Sequence, residues 1–518
     1  MTFGSKVALA LVSAAFLSGA VSGNALAQGK TMTVGLAAQD LQNLDPYKIS
    51  TTTDRVVVTS IFNGLLRFKP GTADAEHLEP DLAETWNPNS TKTEWTLNLR
   101  KGVQCQQNFG EFTSEDVVYS LQRAADPARS SFSTDFADFD KVEAVDPYTV
   151  KITLKRPMAG FLPTLANING GMMLCKKAVE QLGAEFSRRP VGTGPFEFAE
   201  WKPQQSVRLV ANKKYFRGAP QLDTVVYRYL QADASRDLAF TSGELDMVYG
   251  RRDDAWIKRV RGEGGIIVSL PPGEQSNLYL NTKSAPLDNL KVRQAILYAL
   301  DREVLVKFQG TEANKLAISV IPSSNIGVVD LKLPKHDVAK AKALLAEAGY
   351  PNGVTIKAIT HTLPTTLRAM QALQETLRQA NITIDLVVVD TPTFHQQVRQ
   401  NLSQMVWYGA GRFPIPDTYL TQFYHSRASV GTPTGVTNFS LCSAADQEIE
   451  QARNETDLEK QKVLWGQAQR KIMDAVCAVP ILETYIVWAH TKNVELGHEA
   501  KADPNQTLLI TEKTRLLK

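Results

Sequence analysis

Apolar and polar residues alternate in several short runs, and each run predicts a half-buried strand. "TMTVGLA" (31–37), "TEWTLNLRKGV" (93–103), "YTVKITL" (148–154), "SVRLVAN" (206–212) and "TVVYRYL" (224–230) all have this period of two. Other runs have the helical period. "TSEDVVYSLQRAAD" (113–126) opens with Thr113 and Asp116 at capping-box spacing and puts Val117, Leu121 and Ala124 on one face. "HDVAKAKALLAEAGY" (336–350) takes Asp337 as N-cap and Gly349 as its stop. "DNLKVRQAILYALDREVLVK" (288–307) reads as one long amphipathic helical region. "TDRVVVTSIFNGLLRF" (53–68) reads as a helix leading into a strand, and "SRDLAFTSGELDMVYG" (235–250) as a helix, a glycine turn and a strand.

The segment 353–390 reads as strand, helix and strand, long enough for a parallel crossover. Two helices follow near 444–453 and 457–475, and a final strand at 481–496. The alternation implies an α/β chain with at least two lobes. A length of 518 residues agrees, being long for one core and suited to two or three domains.

Composition is that of a soluble globular protein, 43% hydrophobic and 21% charged. A net charge of +3, without a run of like charges, gives no reason to expect nucleic acid. The first 27 residues change the picture more. A short basic start, the apolar run "VALALVSAAFLSGAV" (7–21) and "ALA" (25–27) read as an export signal cleaved after Ala27. The run is shorter than the roughly 20 residues of a membrane span. No cysteine follows the cleavage point to carry a lipid. Loss of Lys6 leaves the mature chain at +2.

Export makes disulfides possible for the four cysteines. Cys442 precedes one helical run and Cys477 follows the next, so two antiparallel helices would bring them together. Cys105 and Cys175 are then the residual pair, with free buried thiols as the alternative. No spacing of cysteine or histidine suggests a metal, and no cofactor is expected. His336, His361 and His395 are too far apart in sequence to argue for one. No nucleophile elbow, H-E-x-x-H or phosphate loop occurs, so an exported enzyme has no support.

Six stretches in order carry a resemblance: "NLDPYKIS" (43–50), "LEPDLAETWNPN" (78–89) with the following "FTSEDVVYSLQRAADP", "PVGTGPFEF" (190–198), "SGELDMV" (242–248), "LYLNTKSAPLDNLKVRQAILYALDR" (278–302) and "AKALLAEAGYPNG" (341–353). With these the chain resembles the extracellular solute-binding proteins of the dipeptide/oligopeptide/nickel class that serve ABC importers. The resemblance implies a two-lobed periplasmic-binding-protein fold with an inserted subdomain in the first lobe. Lobe I would hold residues 28–275, with the insert at about 75–190; lobe II would hold 276–482; residues 483–518 would return to lobe I. It also implies a monomer in the periplasm, a small-molecule ligand buried in the cleft by hinge closure, and an inner-membrane ABC permease as partner.

The site readings rest on the same resemblance. Dipeptide-binding members carry an aspartate for the peptide ammonium in the segment matching 405–417, and here Arg412 falls at or near that position. Their arginine for the peptide carboxylate has no counterpart in "AITHTLPTT" (358–366). An arginine in a closing cleft suits a carboxylate, phosphonate or phosphate, which its planar fork binds bidentately. Pairing of Arg412 with Asp417 is the alternative. Arg129, Phe132 and Ile49 match cleft positions of nickel-chelate-binding members. Trp407, Tyr408 and Phe413 are expected as aromatic walls, and Lys48 as a flanking cation. The expected ligand is a small solute with an acidic group: an opine-like conjugate, a modified peptide or an anionic chelate. A di- or oligopeptide is the alternative.

Overall fold

The computed structural model describes Met1 and residues 30–49, 51–158, 160–412, 415–432 and 437–517. Apart from Met1, the export segment 1–27 lies outside the described residues, as does Phe413. Among the described residues, eleven strands form one continuous sheet. Its spine is a pair of long antiparallel strands, Ile266–Leu280 and Ala478–His490, in register from Ile266 opposite His490 to Tyr279 opposite Ala478. The register slips between Leu270 and Glu274 and again between Ser276 and Asn277. Such slips bend a strand pair, and these sit where the pair passes from one hydrophobic core to another.

The two cores divide the spine. Leu270, Ile486 and Trp488 belong to a core built mainly from residues 32–229, whereas Leu278, Tyr279, Ala478 and Val479 belong to one spanning 278–482. A small third cluster, including Trp256, Ala313 and Val487, lies beside the spine. The first core also takes Val494, Leu496, Leu508 and Ile510, so the C-terminal stretch packs on the N-terminal half. A separate four-stranded antiparallel sheet, ordered Ala83–Pro88, Glu94–Leu99, Thr149–Leu154 and Phe139–Asp146, contributes Trp95, Leu97, Val150 and Ile152 to that core.

The local readings have local causes. Thr113 and Asp116 close the expected capping box on Ser114–Ala125. Asp337 caps Val338–Glu347, and Gly349 takes φ +89°, a conformation that favours glycine. Val354–His361, Pro364–Arg378 and Ile382–Val389 form the parallel crossover, Val354 opposite Ile382. The region 288–307 is not one helix. It breaks at Leu300, in extended conformation, into Leu290–Ala299 and Arg302–Gln309. Asp301 explains the break, because its carboxylate accepts the Val304 N–H and caps the second helix.

Disulfides join Cys105 to Cys175, with Cα atoms 6.1 Å apart, and Cys442 to Cys477, 5.8 Å apart. The second ties the start of the helix pair Asp446–Asn454 and Leu458–Asp474 to its end. Among the described residues no helix is long and apolar enough to cross a membrane.

Candidate functional site

The strands Val354–His361 and Met405–Ala410 run parallel, so the chain leaves both at the same edge of the sheet. Ligands of open α/β sheets collect beyond such carboxyl ends. Here the chain after Ala410 enters a cavity of about 760 Å³. That volume suits a small organic molecule. Its walls come from residues within 131–138, 156–158 and 160–169, from 411–412 and 415–427 with Arg453, and from Pro504, Asn505 and Gln506. The cavity therefore lies between segments packed on the first core and segments packed on the second. The two sides touch at one rim, where a Cβ on Gly160 would sit 2.8 Å from the Ile415 Cδ1. Lys462 also reaches Glu76 at 3.0 Å.

Apart from Asp135 and Arg427, the charged side chains lining this cavity fall into two groups. Some are already neutralised. Arg156 grips Asp138 with two 2.9 Å bonds, Nε to Oδ1 and Nη2 to Oδ2. Arg453 pairs with Asp417 at 3.3 Å and also donates to the Thr421 hydroxyl. Asp417 is thereby held by a side chain from the helix Asp446–Asn454, and it does not pair with Arg412.

Arg412 and Arg55 form the second group. Arg412 is half-buried. Its Nε donates to the Gln422 Oε1 at 2.6 Å, its Nη1 donates to the Gly411 carbonyl at 2.9 Å, and its guanidinium lies 5.3 Å above the Phe423 ring. These contacts fix its direction without neutralising its charge, and among the described residues it has no ion pair. Arg55 projects from the first turn of Thr52–Ile61, which Thr51 caps by accepting the Asp54 N–H. Its Nε is buried without a hydrogen-bond partner, and no carboxylate pairs with it among the described residues. Burial lowers its pKa; Asp54 opposes the shift and Arg412 adds to it. Two guanidinium groups thus feel each other's charge in one cavity. Such an arrangement is unfavourable until an anion arrives.

Asp135, on the turn Ser133–Phe136, also lines the cavity. Its side chain is exposed to solvent at the cavity. Desolvation raises its carboxyl pKa and Arg412 opposes that shift.

Of the residues read from the sequence, Arg412 and Phe132 line this cavity. Arg129 does not: it is exposed and pairs with Asp126 at 2.6 Å. Lys48 is exposed in a turn away from the cavity, and Ile49 is buried in the first core. Trp407 and Tyr408, expected as walls, pack into the second core instead. Strand pairing puts Trp407 opposite Leu278, and the Tyr408 ring packs 4.9 Å from the Phe439 ring, tilted against it. Sequence reasoning missed Arg55 and Asp135. The signal for Arg55 was a cation in the first turn of a capped helix, immediately after a family motif. Asp135 had no signal beyond its place near Phe132. Among the described residues no cluster of three or more histidines, cysteines or carboxylates is arranged to hold a metal.

Comparison with known proteins settles the class. The sequence profile of the bacterial extracellular solute-binding proteins, family 5 (middle region), matches residues 77–431. The chain belongs to this family. Among solved structures of such solute-binding proteins, MoaA of A.tumefacien R10 in complex with mannopinic acid is 42% identical, with a TM-score of 0.80 over 95% of this chain and 100% of that one. AgaA of the same source, in complex with agropinic acid, is 25% identical with a TM-score of 0.74, covering 94% and 98%. The glutathione-binding protein GsiB of Shigella dysenteriae serotype 1 (strain Sd197) is 28% identical over 499 residues, 94% of each chain. The fold is the two-lobed α/β fold of periplasmic binding proteins, as the resemblance implied, and the solute-binding family is one of ABC import.

Proposed function

We propose that the chain is a periplasmic carrier whose cleft captures a small organic solute by its acidic group, an opine-type amino-acid conjugate. The observation that carries this reading is the pair Arg55 and Arg412, two arginines on one cavity that form no ion pair among the described residues. A bound carboxylate relieves their mutual repulsion and accepts guanidinium hydrogen bonds. The likeness to a mannopinic-acid-binding protein supports the same ligand class. A second reading, a small peptide such as glutathione, is favoured by the likeness to GsiB.

The finer organisation belongs to the same proposal. Cleavage after Ala27 releases a monomer, with lobe I at 28–275, its insert at about 75–190, lobe II at 276–482 and a return to lobe I at 483–518. The two cores, one toward each end of the long strand pair, support that division. Closure of the lobes buries the ligand and presents it to an inner-membrane ABC permease, and no bond is broken. The test is a thermal-shift and calorimetric comparison of mannopinic acid, glutathione and free dipeptides on the mature protein. Ligand at 100 times its Kd stabilises by about 2.7 kcal/mol. Stabilisation by mannopinic acid is the expected result. Stabilisation by free dipeptides alone overturns the proposal.

A further inference from the structure

We propose that Asp135 is the cation-recognising group of the cleft, so that the ligand carries a protonated amine beside its acid. This inference rests on the acidic-ligand reading above and adds a second charge to it.

Three carboxylates line the cavity: Asp135, Asp138 and Asp417. Asp138 is taken by Arg156 and Asp417 by Arg453. Asp135 forms no ion pair among the described residues, although it shares the cavity with arginines. The turn that carries it is held in place. The Asp135 N–H donates to the Phe132 carbonyl at 2.9 Å. The next residue, Phe136, is fully buried and packs 5.1 Å from the Phe139 ring. Phe136 also lies against Gly170, where a Cβ would come within 2.7 Å of its ring. The turn that carries Asp135 is fixed in this way, and its carboxylate is left available to a partner that is not part of the chain.

The field of the cavity then selects a ligand type. Arg412 acts on both Arg55 and Asp135, so all three groups belong to one site. A pure anion would satisfy the arginines and leave Asp135 repelling it. A pure cation would satisfy Asp135 and be repelled by the arginines. A molecule with an acid at one end and an ammonium a few bonds away satisfies all three, and each mismatched alternative leaves a charge unpaired in the cleft.

The decisive experiment compares two probes by calorimetry. The first is a glutamate joined to a sugar alcohol through a secondary amine. The second is its N-acetyl derivative, which keeps the acids and loses the basic nitrogen. Wild type is expected to prefer the amine by about tenfold or more. Asp135→Asn is expected to weaken the amine probe about 10–100-fold and to leave the N-acetyl probe unchanged or tighter. That reversal of sign is something a merely structural role for Asp135 cannot produce. Equal weakening of both probes by Asp135→Asn overturns the proposal, as does no preference of the wild type. Failure of the acidic reading is seen separately, as Arg412→Ala leaving both affinities unchanged. Failure of both probes to bind wild type counts against both readings.

Discussion

The segments 126–132 and 405–417 each present an arginine beside aromatic residues, and the two end differently. Arg129 finds its acid three residues earlier, where Asp126 also accepts its backbone N–H at 3.0 Å. The turn closes on itself and stays in solvent. Arg412 has an acid five residues later, but Asp417 is claimed by Arg453 from 36 residues further along. Arg412 is left to Gln422 and the cavity. An arginine becomes a receptor when a distant part of the chain removes its local partner.

The largest effect that would break this contrast is on binding. Arg412→Ala is expected to cost about 2–5 kcal/mol of affinity for an acidic ligand, read by calorimetry. An unchanged Kd would put Arg412 on the same footing as Arg129. Next is stability. Replacing Cys442 and Cys477 by serine opens a link across 35 residues, and the loop-closure argument gives a loss of about 4 kcal/mol or less. A chemical-denaturation midpoint would show it. The same change loosens the helix that carries Arg453, so affinity should fall with stability.

Asp503, next in sequence to the cavity-lining Pro504 and Asn505, provides a pH test. Burial pushes its carboxyl up to about 7, against the pull of the Asn505 and Thr507 N–H groups. A raised carboxyl pKa means that the folded state holds a proton the unfolded chain has released. Its contribution therefore falls as pH rises from about 4 to about 7, by up to about 1.4 kcal/mol per pH unit. Asp503→Asn should flatten that slope in melts taken across this range; an unchanged slope would remove Asp503 as its source.

Arg453→Met sharpens the comparison directly. It frees Asp417 to compete for Arg412, and ligand affinity should drop by about 1 kcal/mol although Arg412 itself is intact. A tighter complex would contradict the competition. Smallest of all, Arg129→Ala should change neither affinity nor stability by more than about 0.5 kcal/mol, as expected for an exposed pair.

Much of the scaffold could be read locally. The capping box at Thr113, the stop at Gly349 and the parallel crossover at 353–390 follow from neighbours within a turn or from strand periodicity. The break at Leu300 was missed because Val292, Ile296, Leu300 and Val304 continue one helical face, which outweighed the cap at Asp301. The site was less legible. Trp407 and Tyr408 look alike beside Arg412, yet strand pairing and core packing take both. Ile49, beside a motif, is likewise consumed by a core.

The sequence by itself determined the class of the protein. Periodicity, caps and six ordered motifs each depend on residues close together in the chain, and those interactions are the same wherever the segment lies. Tertiary structure decided which charges are free. Arg55, Asp135 and Arg412 meet in one cavity because segments packed on the two cores, which the long strand pair joins, line it together. Coulomb interactions and desolvation depend on distance and burial, and neither quantity is written in the order of the residues.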